Sequence, residues 1–211
     1  MTLSYRLIIS DVDSTLIKQE VIDVLAGFAG FGEEVSAITT RAMAGELGFR
    51  EALFKRVALL RGLPIEVLRQ VAERITFNQG ALELREYCRD QNIKFGVVSG
   101  GFTQVLEEIP FFQDLDYLAA NSLTIVNGEL LGTIEEPIID RAAKAEHLKS
   151  FAEHFEIPLK DCVAIGDGAN DLEMLDIAGL SVAFNAKAIL RERADLCIED
   201  DLSELIHLLR D

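Results

Sequence analysis

Asp11 and Asp13 directly follow the apolar run Leu7-Ile8-Ile9, and their type and spacing suggest a metal site. The run reads as a buried parallel strand. Carboxylates at the end of such a strand are costly to desolvate unless a cation compensates them. Oxygen ligands of this kind suit Mg²⁺, which is commonly held by one or two carboxylates plus a substrate phosphate. Open α/β sheets also place their ligands at the carboxyl ends of strands. Two further loops can share that edge. Ser99-Gly100-Gly101 follows Phe95–Val98, and Gly166-Asp167-Gly168-Ala169-Asn170-Asp171 follows Val163–Ile165. Their glycines let backbone approach an anion, and amides at a helix N-terminus attract phosphate. Ser99 adds a hydroxyl donor. Asp167 can complete a metal site with Asp11, and Lys144, opening a helical pattern, can supply a fixed positive charge. Each motif alone is an ordinary turn or cap. The weight lies in all three loops falling on one edge if their strands are parallel. Neither glycine-rich loop is followed by Gly-Lys-Ser/Thr, so neither reads as a P-loop.

The elements that must position these residues alternate along most of the chain. Strands are predicted at Leu7–Ile9, Phe95–Val98, Val163–Ile165, Leu180–Phe184 and Leu196–Ile198. Helices are predicted at Ala81–Gln91, from Gly101-Phe102-Thr103 to near Pro110, Lys144–Phe155, Asp171–Ala178, Ala188–Arg193 and Ser203–Leu209. Such alternation means a parallel sheet with helices on both faces. Asn127-Gly128 between two apolar stretches predicts a hairpin, expected as an ornament on that sheet. Lys18–Thr76 differs, showing only helical periodicity broken at Gly30-Phe31-Gly32, Gly45 to Gly48 and Gly62-Leu63-Pro64. The expectation is an α/β core, Rossmann-like, over residues 1–17 and 77–211, with a small helical cap, 18–76, inserted after the first strand.

The chain has 211 residues, is 49% apolar and carries a net charge of −16. That charge argues against binding nucleic acid or an anionic membrane. Lys18 to Arg74 holds eight basic and eight acidic residues, so the excess lies outside the cap. An acidic protein with an anionic substrate must make positive potential locally, from a metal and a few Lys or Arg. Cys88, Cys162 and Cys197 show neither disulfide nor zinc spacing and are expected in the core. His147, His154 and His207 form no ligand cluster. Met1 to Arg6 runs straight into the first strand, with no leader pattern, so a reduced cytoplasm is expected. The sequence leaves monomer and homodimer open.

Within the cap, Phe49 set at zero on a helical wheel puts Leu53 near ~40°, Leu60 near ~20° and Arg56 near ~−20° at about 100° per residue. Arg56 thus shares the apolar sector, where a guanidinium needs an anionic partner. The bland alternative is a salt bridge within the cap. Glu20, near a helix start, can meet a cation or simply favour the helix dipole.

Taken together, Asp11-Val12-Asp13-Ser14-Thr15-Leu16 with Glu20, Val98-Ser99-Gly100-Gly101-Phe102, Lys144, and Gly166-Asp167-Gly168-Ala169-Asn170-Asp171 resemble the phosphoserine phosphatases of the haloacid dehalogenase-like superfamily. Ala42-Met43-Ala44-Gly45, Phe49 and Lys55-Arg56-Val57 extend the resemblance through the cap, and Val12 stands where a Phe is usual. The resemblance implies Mg²⁺-dependent hydrolysis of O-phospho-L-serine, the last step of serine biosynthesis, through an aspartyl-phosphate. It implies Asp11 as nucleophile, Asp13 as acid/base, and Mg²⁺ held by Asp11, the Asp13 carbonyl and Asp167. Ser99, Gly100, Lys144 and Asn170 would hold the phosphoryl group, with Asp171 behind Lys144. Glu20 would receive the serine ammonium and Arg56 the carboxylate, with Met43 and Phe49 excluding water. Two rivals stay open: phosphoryl transfer by the same architecture to another acceptor, such as homoserine, or from another small phosphomonoester; and a non-catalytic sensor of a phosphorylated metabolite.

Overall fold

Strand β1 (Leu7–Ser10) carries no charge and is buried along its whole length, as a strand covered on both faces must be. In the computed structural model, which describes residues 5–43 and 46–210, it is a central strand of a six-stranded sheet. The others are β2 (Lys94–Phe102), β3 (Tyr117–Asn121), β6 (Cys162–Gly166), β7 (Leu180–Phe184) and β8 (Leu196–Ile198). Their order is β3-β2-β1-β6-β7-β8 and every pairing is parallel. Connections run outward from β1 to β3 on one side and from β6 to β8 on the other. The topological switch point therefore lies between β1 and β6, where such sheets open a ligand crevice. Side chains alternate as a pleat requires. Ile8, Val97, Val163 and Ile165 join one apolar cluster, whereas Leu7, Ile9, Val98 and Ala164 join the other.

Among the described residues five helices lie between β1 and β2, and the first four form one segment: α1 (Val21–Ala29), α2 (Gly32–Met43), α3 (Phe49–Ala58) and α4 (Glu66–Ala72). Their apolar residues, among them Val21, Leu25, Leu53 and Val57, share one buried cluster with the first face of the sheet. That face is completed by α5 (Ala81–Asp90), α6 (Thr103–Leu106) and α7 (Pro110–Gln113). Two strands of chain link these helices to the sheet, and polar side chains tie them together. Gln19 accepts from the Thr76 N–H at 3.0 Å, and the Asn78 amide donates to the Thr15 and Ile17 carbonyls at 2.8 and 3.2 Å. The second face is packed by α8 (Arg141–His154) and α9 (Leu172–Ile177). The short α10 (Ala188–Arg191) follows β7 and α11 (Glu204–Arg210) closes the chain.

The structure departs from the sequence expectations in four places, the first being that β2 runs on through Gly101 and Phe102, where a helix is predicted, so that α6 starts only at Thr103 and α7 is separate from it. The hairpin β4 (Leu123–Val126) and β5 (Glu129–Ile134) is a separate two-stranded sheet rather than an ornament on the main one. It docks on the helical segment, through Gly62 N–H to the Leu130 carbonyl at 2.9 Å and Ile65 N–H to the Gly128 carbonyl at 2.8 Å. Strand β3 was not expected; its Tyr117-Leu118-Ala119-Ala120-Asn121 stretch has no alternation, and the sheet edge recruits it. Cys197 is exposed, unlike Cys88 and Cys162, because β8 is an edge strand of three residues. All three thiols are free.

Candidate active site

The candidate site begins where β1 ends. The Asp11 N–H donates to the Ile165 carbonyl at 2.9 Å, which carries the β1–β6 ladder one residue past the strand. The chain then turns sharply: the N–H groups of Thr15, Leu16 and Ile17 all converge on the Val12 carbonyl, and Ser14 takes a left-handed φ of 60°. The turn carries Asp13 back over the crevice, where its Oδ2 accepts from the Val21 N–H at 3.0 Å in the first turn of α1. Val12 is fully buried in the sheet, and its N–H donates to Asp11 Oδ1 at 2.7 Å.

Lys144, in the first turn of α8, is 1% exposed. Its ammonium lies 2.8 Å from Asp11 Oδ1 and 2.7 Å from Asp171 Oδ1. Burial alone would lower its pKa, but the two carboxylates outweigh that and raise it, so the charge is fixed. Asp171 Oδ2 accepts from the N–H groups of Asp167 and Gly168 at 3.2 and 3.1 Å. Both oxygens of Asp171 are thus committed. The close fit explains Gly166, since a Cβ there would sit 2.5 Å from the Asp171 carboxyl.

Oxygens of Asp11, Asp167 and Asp171 lie within 4.8 Å of one another. Burial, then the Asp171 charge, holds Asp11 well above the carboxylate range despite the pull of Lys144. Asp167 is pushed up to about 6 by burial and by Asp171. Asp13 is pushed up to about 8 by burial and by Glu20, against the Val21 hydrogen bond. One ammonium leaves this group of carboxylates with excess negative charge. Among the described residues, Asp11 Oδ2 and the Asp167 carboxylate have no hydrogen-bond or ion-pair partner, and Asp13 Oδ1 is buried without one. A divalent cation fits that donor set.

The second loop closes the other side. Ser99 is fully buried, and its Oγ accepts from the Gly101 N–H at 2.8 Å. A Cβ on Gly101 would lie 3.0 Å from that Oγ and 3.2 Å from Asp13 Oδ1, so the hydroxyl and the carboxyl both lie against this glycine. Phe49, 40% exposed, reaches over the same loop; a Cβ on Gly100 would lie 4.0 Å from its Cζ. Asn170 is half-exposed at the rim, packed against Gly168.

Glu20 precedes α1, exposed, and accepts a hydrogen bond from the Ser14 hydroxyl at 2.7 Å. Arg56 is half-buried while Arg50 and Lys55 on the same helix are exposed. It donates to the Ala52 carbonyl at 3.3 Å and the Thr39 hydroxyl at 3.4 Å, and forms no ion pair among the described residues. Burial lowers its pKa, and the charges of Glu20, Asp23 and Asp13 oppose that, which puts it in their field. Met43 ends α2; its side chain, with Ala44 and Gly45, lies outside the described residues. The structure thus gathers Asp11, Asp13, Ser99, Gly100, Lys144, Asp167 and Asp171 at one edge, with Glu20, Phe49 and Arg56 facing them. Sequence reasoning passed over Ser14, Thr39 and the buried, unpartnered Thr15 hydroxyl. Ser14 and Thr15 sat inside a motif read for its aspartates, and nothing around Thr39 sets it apart from an ordinary helical threonine.

Residues 8–176 match a family model described as haloacid dehalogenase-like hydrolase. The phosphoserine phosphatase SerB2 of Mycobacterium tuberculosis is 49% identical over 190 residues, covering 90% of this chain and 46% of that protein. The chain spans about half the length of several such curated relatives. The phosphoserine phosphatase of Methanocaldococcus jannaschii is 44% identical over 206 residues, covering 97% of this chain and 98% of that one. A solved phospho-aspartyl intermediate analogue of phosphoserine phosphatase superposes with a TM-score of 0.88 at 44% identity, covering 97% of this chain and 98% of that one.

Proposed function

The chain belongs to the haloacid dehalogenase-like hydrolases, and from that premise we propose that it hydrolyses O-phospho-L-serine to serine and phosphate. The observation that carries this is the buried ammonium of Lys144 between Asp11 and Asp171, with Asp13 Oδ1 unpartnered nearby. Such an arrangement offers a nucleophile, a proton donor and a fixed cation around one point at the switch of the sheet. Relatives named phosphoserine phosphatase support the substrate. Asp11, Asp167 and the Asp13 carbonyl would hold Mg²⁺, which when bound neutralises charge on the phosphoryl oxygens.

The chain's own residues divide the remaining work. An Asp11 carboxylate oxygen attacks phosphorus while the bond to the serine oxygen breaks, forming an aspartyl-phosphate; splitting hydrolysis in two is ordinary covalent catalysis. Asp13, whose carboxyl is pushed above the ordinary carboxylate range by burial and by Glu20, gives its proton to the leaving serine oxygen. It then takes a proton from the water that displaces phosphate from Asp11. The Ser99 hydroxyl, the Gly100 N–H and Lys144 hold the phosphoryl oxygens, with Asn170 at the rim. Residues 18–76 act as the cap: Glu20 receives the ammonium, Arg56 the carboxylate, and Phe49 and Met43 exclude water. No described helix is long and apolar enough to cross a membrane. The free thiols agree with a reduced, cytoplasmic setting.

Phosphate release from a panel of phosphomonoesters, with Mg²⁺ and with chelator, tests the proposal. Phosphoserine should be hydrolysed fastest, and chelation should abolish the activity. A phosphoserine rate no higher than that of a generic ester would defeat the substrate assignment. Phosphate release falling short of serine release when homoserine is added, with phosphohomoserine formed, would favour transfer over hydrolysis.

A further inference from the structure

β2 runs on through Ser99-Gly100-Gly101 to Phe102, and its ladder with β3 skips from the pair Ser99–Ala120 to the pair Phe102–Asn121. Gly100 and Gly101 therefore form a bulge with no partner across the ladder. A bulge turns backbone groups toward a site, but a buried carbonyl that loses its ladder bond is costly. Asn121 makes good the loss. It is 1% exposed. Its Nδ2 donates to the Gly100 carbonyl at 2.8 Å, and its Oδ1 accepts from the Ile139 N–H at 2.8 Å. An acceptor on one side and a donor on the other fix the orientation of the amide. Ile139 immediately precedes Asp140, whose carboxylate caps α8 by accepting from the Ala143 N–H at 2.9 Å. Lys144 follows in that first turn.

One buried side chain thus joins the phosphate loop to the segment that delivers the lysine. The peptide between Gly100 and Gly101 is held at both ends, its carbonyl by Asn121 and its N–H by Ser99 Oγ at 2.8 Å. Because Ser99 Oγ accepts there, its hydroxyl hydrogen is left to donate toward the crevice. Resting on the phosphatase reading above, we propose that Asn121 is a positioning residue for phosphoryl transfer. It keeps the Ser99 hydroxyl and the Gly100–Gly101 peptide in register with the Lys144 ammonium, acting through backbone and never touching substrate. Donors of this kind contribute only where they match the transition state, and a misplacement of about 1 Å can cost roughly a hundredfold.

Asn121→Asp is the test variant. It keeps an oxygen for the Ile139 N–H but turns a second oxygen on the Gly100 carbonyl. Asn121→Ser, neutral and too short to span both partners, stands in if the aspartate does not fold. Gln104→Ala is the control: it removes a neighbouring amide that bonds the Ser122 hydroxyl and the Leu123 backbone, away from the phosphate loop. For each protein, kcat and KM for phosphoserine with Mg²⁺, melting temperature, and inhibition by phosphate and by vanadate are measured. The Asn121 variants should lose about ten- to a hundredfold in kcat with KM little changed. They should also lose vanadate affinity well beyond phosphate affinity. Gln104→Ala should lower the melting temperature and leave kcat intact. An Asn121 variant with natural kcat, or equal losses for vanadate and phosphate, overturns the proposal. So does a kcat loss in Gln104→Ala matching that of the Asn121 variants. A natural protein that turns over no phosphomonoester removes the phosphatase reading and this proposal with it; turnover unchanged by the Asn121 substitutions removes only the proposal.

Discussion

Arg56→Ala separates a substrate-reading guanidinium from one that merely holds the cap. Within the folded protein Arg56 has little to lose. Its two hydrogen bonds, 3.3 Å to the Ala52 carbonyl and 3.4 Å to the Thr39 hydroxyl, are long, and no carboxylate of a described residue pairs with it. An ordinary hydrogen bond contributes about 0.5–1.5 kcal/mol net, and these lie at the weak end. One kcal/mol shifts the melting temperature of a protein this size by roughly 2–4 °C, so the variant should melt within a few degrees of the natural protein. On the proposed reading, a bound carboxylate would give Arg56 the anion it lacks. A charge-assisted bond is worth about 1.5–3 kcal/mol, and about 1.4 kcal/mol is tenfold. The loss in kcat/KM for phosphoserine should therefore be about ten- to a hundredfold or somewhat more. Phosphoethanol, lacking carboxylate and ammonium, should be a poor substrate of the natural protein and nearly indifferent to the substitution. Calorimetry and phosphate release on both substrates decide the matter. Equal losses for the two substrates, or a melting temperature lower by more than about 10 °C, would show that Arg56 braces the cap instead.

Asp13→Asn should slow turnover by roughly 10²–10⁴-fold, as expected for a lost general acid/base, with circular dichroism unchanged; a smaller loss would place proton transfer elsewhere. Lys144→Met leaves Asp11 and Asp171 facing each other unpaired, so both activity and about 3–5 kcal/mol of stability should go, read by denaturant titration; unaltered stability would refute the buried triad. With divalent cations chelated, Asp13 and Asp167 titrate in the folded state at about 8 and about 6, above the ordinary 3.8. Raised carboxyls bind protons more tightly folded than unfolded, so stability of the metal-free protein should be highest in acid and fall as pH rises from about 4 to about 8. Mg²⁺ should restore more stability at pH 8 than at pH 5, and a flat or opposite trend in melting temperature would contradict the crowded-carboxylate description.

Strong local periodicity made most of the architecture legible. β7 and β8 fall on the expected residues, and the three loops meet at one edge because their strands are parallel and buried. Asp11, Asp13 and Asp167 stood out as candidates because their loops follow strands expected to be parallel, and Lys144 because it opens a helical pattern, although each motif alone reads as an ordinary turn or cap. β3 was not readable, since an edge strand of small residues lacks the period-2 signal and gains its conformation from pairing with β2. The hairpin was visible at Asn127-Gly128, but its docking on the helical segment depends on backbone bonds from Gly62 and Ile65 that no local pattern encodes. Asn121 and Thr39 lay beyond reach for the same reason. Their value comes from partners 18 and 17 residues away in sequence.

The covalent step is tested most directly by trapping it. Phosphoserine labelled with ³²P is mixed with enzyme and Mg²⁺ and quenched in acid within the first turnover to count protein-bound phosphate, while a parallel quench with unlabelled phosphoserine is reduced with tritiated borohydride, which expels the phosphate and leaves tritiated homoserine at the phosphorylated position, and that peptide is sequenced. Label should appear at Asp11 on a time course matching single-turnover kinetics, and Asp11→Asn should trap none. Label on another residue, or serine release at full rate with no protein-bound phosphate at any time, would contradict nucleophilic attack by Asp11.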